Sequence, residues 1–247
     1  MNRLIKFSAV ALALGLSISV HAKPDTAFET KQLNLLNKAS DLLDQGQLKQ
    51  SLKLLKQVTD KMPKGWKPRQ ESANKVKIAY WDDEYADACK AKDESLSGKT
   101  VVDSRLSYSR AYYLQGYIEV ERDNLAQAMI YINKGLALEP DSPRLHGEKG
   151  SIYLQMANNE AAVLERDMVL ESTTGCVLDS DKAFSLFNKG VSLIDLNRLD
   201  EAETALKQSL EYGENPDVEN ELDYIAKIRS GEIKPTPASI QKTTQGD

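Results

Sequence analysis

Histidine and cysteine are scarce in this sequence, and their scarcity limits the chemistry that the chain can perform. The 247 residues include two cysteines, Cys89 and Cys176, and two histidines, of which only His146 lies beyond the first 22 residues. A zinc site needs clustered ligands, and a catalytic thiol needs a nearby base. Neither pattern is present, so we expect no metal, no cofactor and no catalytic residues.

Basic charge is also scarce. The formal net charge is −5, and it becomes −7 without the first 22 residues, which contain Arg3 and Lys6 and no acidic residue. Such a chain lacks the basic stripe that would attract nucleic acids or anionic lipids. The sequence has only 13 glycines and 8 prolines. These low counts favour a mostly helical body.

One apolar run, from Phe7 to Val20, follows the basic residues at the N-terminus. A basic head, an apolar run and small residues up to Ala22 are the features of a secretory signal peptide. The run is about 14 residues long, whereas a membrane-spanning helix needs about 20. We predict a cleaved signal peptide over residues 1–22 and a periplasmic location, with an uncleaved membrane anchor as the alternative. No later stretch is apolar enough to span a bilayer.

A 34-residue repeat organises the centre of the chain. Displaced by 34 residues, the sequence aligns Arg110 with Arg144, Gly116 with Gly150, Ile118 with Ile152, Asn124 with Asn158, Ala128 with Ala162 and Leu136 with Leu170. A period of about 34 residues is typical of a helix–turn–helix repeat. Gly116 and Ala128 are expected where the two helices of one repeat cross, because small side chains let the backbones approach closely.

The spacing of Gly116, Ala128 and Pro140 resembles the tetratricopeptide repeat, including that of exported bacterial members. Related spacings occur elsewhere in the chain, at Ala39, Ser51 and Pro63 and at Gly190 and Ala202. The resemblance implies an all-α solenoid over residues 23–231. Its four repeats are expected at about residues 32–65, 109–142, 143–174 and 183–216.

Residues 66–106 interrupt the repeat period. We predict a helix from Ile78 to Lys92, in which Trp81, Tyr85 and Cys89 are spaced by four residues on one face. Asp82 is the expected cap of the acidic first turn. An aromatic stripe favours a helix packed on the side of the solenoid, and a functional insertion is the alternative.

The C-terminal region contains a further helix and a polar tail. Apolar residues recur on one face of residues 216–230, which predicts a capping helix for the last repeat. Residues 232–247 have almost no apolar side chains to bury, so we predict a disordered tail.

Cys89 and Cys176 both lie where the repeat period breaks. In an exported protein, a disulfide between them would close a loop of about 87 residues. We predict this disulfide, and the alternatives are two free thiols or an intermolecular bridge.

In tetratricopeptide proteins, the first helix of each repeat lines a concave face that binds peptides or partner helices. Carried over by register, the candidate partner-binding residues are Arg110, Tyr113, Tyr117, Arg144, Phe184 and Phe187. Guanidinium groups suit carboxylates and carbonyls, and aromatic rings provide rigid anchors. The alternative is that Tyr113 and Phe187 pack against neighbouring helices.

The resemblance implies a non-enzymatic adaptor that binds a protein or peptide partner on its concave face. The alternative is a structural subunit of a cell-envelope assembly that uses the insertion or the convex face. An enzyme is disfavoured, because no nucleophile, base and metal occur in a suitable arrangement.

Overall fold

The structure of the protein is a computed structural model that describes residues 26–172 and 176–234. The predicted signal peptide lies outside the described residues, as do residues 235–247 of the predicted tail. The described residues form ten α-helices and three β-strands. The mainly helical architecture expected from the sequence is therefore confirmed.

Four helix pairs follow one another, with an insertion after the first pair and a single helix after the last. In chain order the elements are α1 (Ala27–Asp44), α2 (Leu48–Thr59), β1 (Arg69–Ser72), β2 (Lys75–Ala79), α3 (Asp83–Lys92), β3 (Thr100–Ser104), α4 (Tyr108–Glu121), α5 (Leu125–Leu136), α6 (Pro143–Gln155), α7 (Asn159–Leu170), α8 (Asp179–Asp195), α9 (Leu199–Ser209) and α10 (Asp217–Arg229). The pairs are α1 with α2, α4 with α5, α6 with α7, and α8 with α9.

Each pair is joined by a tight turn with the same backbone conformation. The turn residues Gly46, Asp123, Ala157 and Asn197 have positive φ angles of 72°, 56°, 57° and 56°. A left-handed residue after a helix lets the following amide groups reach the last helical carbonyls, which ends the helix and reverses the chain. The repeat is therefore visible in the backbone as well as in the side chains.

Small residues let the two helices of a pair approach closely. A Cβ atom at Gly116 would lie 2.5 Å from Ile132 Cδ1, and one at Gly190 would lie 2.6 Å from Leu206 Cγ. Both distances are far below van der Waals contact, so glycine fits these positions without a shift of the second helix. Ile132 and Leu206 are fully buried. The small residues in the sequence therefore mark the helix crossings.

The insertion between α2 and α4 contains a three-stranded sheet of order β1–β2–β3. β1 pairs antiparallel with β2, β3 pairs parallel with β2, and α3 connects β2 to β3. The helix predicted from Ile78 to Lys92 is wrong before Asp83, because Ile78 belongs to β2. Asp82 caps α3 as predicted, since its Oδ1 accepts a hydrogen bond from Tyr85 N at 2.8 Å.

The insertion also contacts the first helix pair. Lys77 Nζ of β2 donates a hydrogen bond to Glu29 Oε1 of α1 at 2.8 Å, and both side chains are largely shielded from solvent. Trp66, at the start of the insertion, packs edge-on against Tyr108 of α4 with ring centroids 5.0 Å apart. The insertion is therefore held by the pairs on both sides of it.

The helix α10 packs on the last pair and completes its core. Val218 and Ile225 of α10 are buried together with Leu206 of α9. Such a helix is needed because the last unit of a solenoid has no following unit to cover its apolar face. None of the described helices is both long and apolar enough to cross a membrane.

Candidate partner-binding face

The first helices of the four pairs form one side of the solenoid, which we call the inner face. Neighbouring first helices contact one another along it. The six predicted binding residues all lie on these helices: Arg110, Tyr113 and Tyr117 on α4, Arg144 on α6, and Phe184 and Phe187 on α8. The structure brings three of them to the insertion, two into contacts within the solenoid, and leaves one exposed.

Arg110 binds the insertion. Its Nη1 donates a hydrogen bond to the carbonyl oxygen of Trp81 at 2.8 Å, and its Nη2 donates one to Ser40 Oγ of α1 at 3.3 Å. Burial lowers the pKa of the guanidinium, and the nearby Asp82 opposes this effect. Arg110 thus joins the first two pairs to the insertion.

Arg144 binds the next residue of the insertion. Its Nη1 donates a hydrogen bond to Asp82 Oδ2 at 2.5 Å, and its guanidinium lies 5.0 Å from the ring centroid of Tyr85 and 5.8 Å from that of Trp81. Burial alone would lower the pKa of Arg144, but the hydrogen bond and the charge of Asp82 raise it. The positive charge of Arg144 is therefore neutralised within the chain.

Trp81 fills the space beside Tyr113. The two ring centroids are 5.1 Å apart, and 3% of the Trp81 surface is exposed. Its Nε1 donates a hydrogen bond to Glu139 Oε2 at 3.3 Å, in the connection between α5 and α6. Burial raises the pKa of Glu139 to about 7, although the hydrogen bonds from Ser109 and Trp81 lower it. The insertion therefore occupies the part of the inner face that Arg110, Tyr113 and Arg144 form.

The two phenylalanines are engaged within the solenoid. Phe187 is 5% exposed and lies in a core cluster with Val163 and Leu206. The Phe184 ring lies against the guanidinium of Arg166, with 4.8 Å between Cζ and the ring centroid. Packing within the chain, the alternative that the sequence left open, describes the position of Phe187.

Tyr117 is the predicted residue that remains most accessible, with 36% of its surface exposed. Beside it lie Glu121 of α4 and Glu148 of α6, which interact electrostatically with Tyr117 and with each other. Ser151 follows Glu148 on α6 and is half-buried. We call Tyr117, Glu121, Glu148 and Ser151 the open part of the inner face. Sequence reasoning missed the two glutamates because they belong to no motif.

Glu148 is the most perturbed group of the open part. Burial raises its pKa to about 7, the charge of Glu121 acts in the same direction, and the charge of Arg166 opposes both. A carboxyl group with a pKa near 7 exchanges its proton at neutral pH. Glu148 can therefore act either as a carboxylate or as a hydrogen-bond donor.

Arg166 of α7 is a buried cation at a position that is aliphatic in neighbouring pairs, where Ile132 and Leu206 stand. It is fully buried, and it donates hydrogen bonds to the carbonyl oxygen of Gly147 at 2.6 Å and to Ser151 Oγ at 2.8 Å. Burial lowers its pKa to about 10. The guanidinium therefore lies beneath the open part of the inner face. An arginine in an aliphatic column of the repeat was the one sequence signal for this site.

Cys89 of α3 forms a disulfide with Cys176, which precedes α8, and their Cα atoms are 4.5 Å apart. Cys89 is buried against Tyr80 and Tyr85 of the insertion. The predicted pairing is thus present in the structure. It fastens the insertion to the start of the fourth helix pair.

His146 uses both ring nitrogens. Nδ1 lies 2.7 Å from Glu165 Oε2, and Nε2 lies 2.7 Å from the carbonyl oxygen of Pro140. Both partners are acceptors, so the protonated ring is favoured. Burial would lower the pKa of His146, but these two contacts raise it. The side chain therefore joins α6 to α7 and to the turn before α6, and this role is structural.

Paired helices, small residues at their crossings and four equivalent turns define a solenoid of helix–turn–helix repeats. The family model of the tetratricopeptide repeat matches residues 109–142 and 185–215. The chain is therefore a tetratricopeptide-repeat protein, as the spacing of its small residues indicated.

Two solved structures of MamA, a tetratricopeptide-repeat protein, share this fold. MamA AMB-1 is 18% identical, with 89% of this chain and 94% of that chain covered and a TM-score of 0.51. MamA MSR-1 is 16% identical, with 87% and 95% covered and a TM-score of 0.50. Identities this low establish the fold alone. No curated protein sequence matches the chain significantly.

Proposed function

We propose that the protein is a non-enzymatic adaptor that binds a peptide or protein partner on its inner face. Tetratricopeptide repeats are in general protein-interaction modules. The observation that carries the proposal is the open part of the inner face, where the exposed ring of Tyr117 lies beside the polar groups of Glu148 and Ser151. A rigid aromatic anchor with a few polar groups around it is what peptide recognition needs.

The insertion restricts where such a partner would bind. Arg110, Tyr113 and Arg144 hold Trp81 and Asp82, so these side chains support the site from the chain's own side. We therefore assign partner contact to the open part around Tyr117.

The test is a crosslinking pull-down from the envelope extract of the source cell. Tyr117→Ala should lose a partner that the wild type captures. Tyr212→Ala is the matched control, because Tyr212 is 37% exposed and follows α9 away from the inner face. Capture that is unchanged by Tyr117→Ala, or lost equally in both variants, would contradict the proposal.

We further propose that the protein is exported to the periplasm after cleavage behind Ala22. The disulfide between Cys89 and Cys176 supports this location, because structural disulfides persist mainly in oxidising compartments. Cell fractionation and alkylation of thiols before and after reduction test it. A cytosolic protein with two alkylated thiols before reduction would contradict it.

A second candidate function is that of a structural subunit of a cell-envelope assembly. Ile130 of α5 and Leu164 of α7 occupy equivalent repeat positions and are 48% and 66% exposed, and Met168 on α7 is 48% exposed. Exposed apolar patches often mark protein interfaces. Leu164→Lys should dissolve such an assembly and leave capture through Tyr117 intact. The opposite pattern would favour the adaptor.

A further inference from the structure

The carboxylates of the inner face outnumber the cations that remain available there. Glu121 of α4 and Glu148 of α6 flank Tyr117. The acidic Asp181 of α8 acts on Tyr113 from the next first helix, and Asp82 and Glu84 of the insertion act on Asp181. The negative potential therefore comes from three first helices and from the insertion.

The basic groups in the same region are already bound. Arg144 is paired with Asp82, and Arg110 donates to the carbonyl oxygen of Trp81. Arg166 is fully buried beneath α6 and donates to Gly147 and Ser151. None of these three cations is directed toward a ligand above the open part of the inner face.

We propose that the partner segment bound at the open part of the inner face is basic, with a lysine or arginine side chain placed between Tyr117 and Glu148. This inference rests on the proposed adaptor function and names the chemistry of its partner. A cation there gains a charge-assisted hydrogen bond from the Glu148 carboxylate and a contact with the tyrosine ring. An acidic segment meets repulsion from both glutamates instead.

The test uses three short synthetic peptides on one leucine and alanine framework, whose polar positions are all lysine, all glutamine or all glutamate. Their dissociation constants are measured by fluorescence anisotropy on the full mature chain. The lysine peptide should bind about tenfold more tightly than the glutamine peptide, and the glutamate peptide should bind most weakly. Equal binding of all three, tighter binding of the glutamate peptide, or no binding of the lysine peptide would overturn the inference.

Two variants separate specific binding from general attraction by an acidic protein. Glu148→Gln should weaken the lysine peptide about tenfold. Glu160→Gln removes the same charge from an exposed position in the first turn of α7 and should leave the affinity unchanged. If both variants weaken the lysine peptide equally, its binding is non-specific and the inference fails.

The dependence on pH gives a second readout. Glu148 is faced by Glu121, Tyr113 and Tyr117 from α4 and by Arg166 from α7. A cation needs the ionised form of Glu148, so the affinity of the lysine peptide should rise between about pH 6 and about pH 8. Glu148→Gln should remove most of this rise, and an identical pH profile in this variant would overturn the inference.

The same peptides distinguish a failure of the chemistry from a failure of the adaptor function. If all three bind equally and Tyr117→Ala weakens each of them, the partner is not selected by charge, although the inner face remains its site. If a peptide binds and Tyr117→Ala has no effect, both the basic partner and the proposed site are wrong.

Discussion

Replacing Arg166 by leucine is expected to stabilise the protein by about 1 kcal/mol, although the change removes several polar contacts. The equivalent residues of the neighbouring pairs, Ile132 and Leu206, show that an aliphatic side chain fits this position in the repeat. The perturbation therefore restores the pattern of the repeat at the one pair that departs from it.

The magnitude follows from the contacts of the guanidinium. Burial lowers the pKa of Arg166 from 12.5 to about 10, which corresponds to about 3 kcal/mol of unfavourable free energy for the charged form. The hydrogen bonds to Gly147 and Ser151 return about 2 kcal/mol together, and the contact with Phe184 returns about 1 kcal/mol. Arginine is therefore nearly neutral here. A buried leucine contributes about 2 kcal/mol, less about 1 kcal/mol for its smaller volume.

Urea unfolding followed by circular dichroism measures the effect, and thermal unfolding should show a rise of about 2–4 °C. Ile132→Leu is the control for a change of shape without a change of charge, and it should alter the free energy of unfolding by less than about 1.5 kcal/mol. Ser151 keeps a hydrogen bond to the carbonyl oxygen of Gly147 in the variant. A loss of more than about 1 kcal/mol in Arg166→Leu would refute the view that the buried charge is nearly neutral for stability.

Three further predictions concern the turn, the disulfide and a buried carboxyl group. Ala157→Gly should raise the free energy of unfolding by about 1 kcal/mol, because Ala157 has a φ of 57° where the first pair has Gly46; lower stability would contradict this. Joint replacement of Cys89 and Cys176 by alanine should cost about 2–4 kcal/mol in urea unfolding, and an unchanged midpoint would show that the disulfide adds nothing. The pKa of Glu139 is raised to about 7, so the folded protein holds this proton more tightly and loses stability as the pH rises. Glu139→Gln should lose about 1–2 kcal/mol less than the wild type between about pH 4.5 and about pH 7; parallel pH profiles would exclude this role.

The solenoid could be predicted from the sequence because its signals are local. Gly116 and Ala128 report a helix crossing through their size alone, and the 34-residue period repeats that signal. The insertion could not be predicted in the same way. Its sheet joins β2 to β3 across α3, and the four residues of β1 include three exposed polar side chains. Ile78 was assigned to a helix because a short apolar run has no clear period.

The candidate site was predicted only in part, for a tertiary reason. Register placed Arg110 and Arg144 on the correct helices, but their partners, Trp81 and Asp82, reach them only when the insertion docks. Nothing in the local sequence announces that docking. Glu148 becomes unusual through burial and through the charge of Glu121, which also depend on the assembled helices.

The insertion has a mechanical consequence for the whole chain. A solenoid whose units touch only their neighbours behaves like a spring, which stretches and twists by small changes at each junction. Here one segment contacts α1, α4 and α6 and is bonded covalently to the segment before α8 through Cys89 and Cys176. It acts as a brace along the spring. Extension or twisting of the superhelix must strain this brace as well as the junctions, so the curvature of the inner face is held nearly constant whether or not a partner is bound.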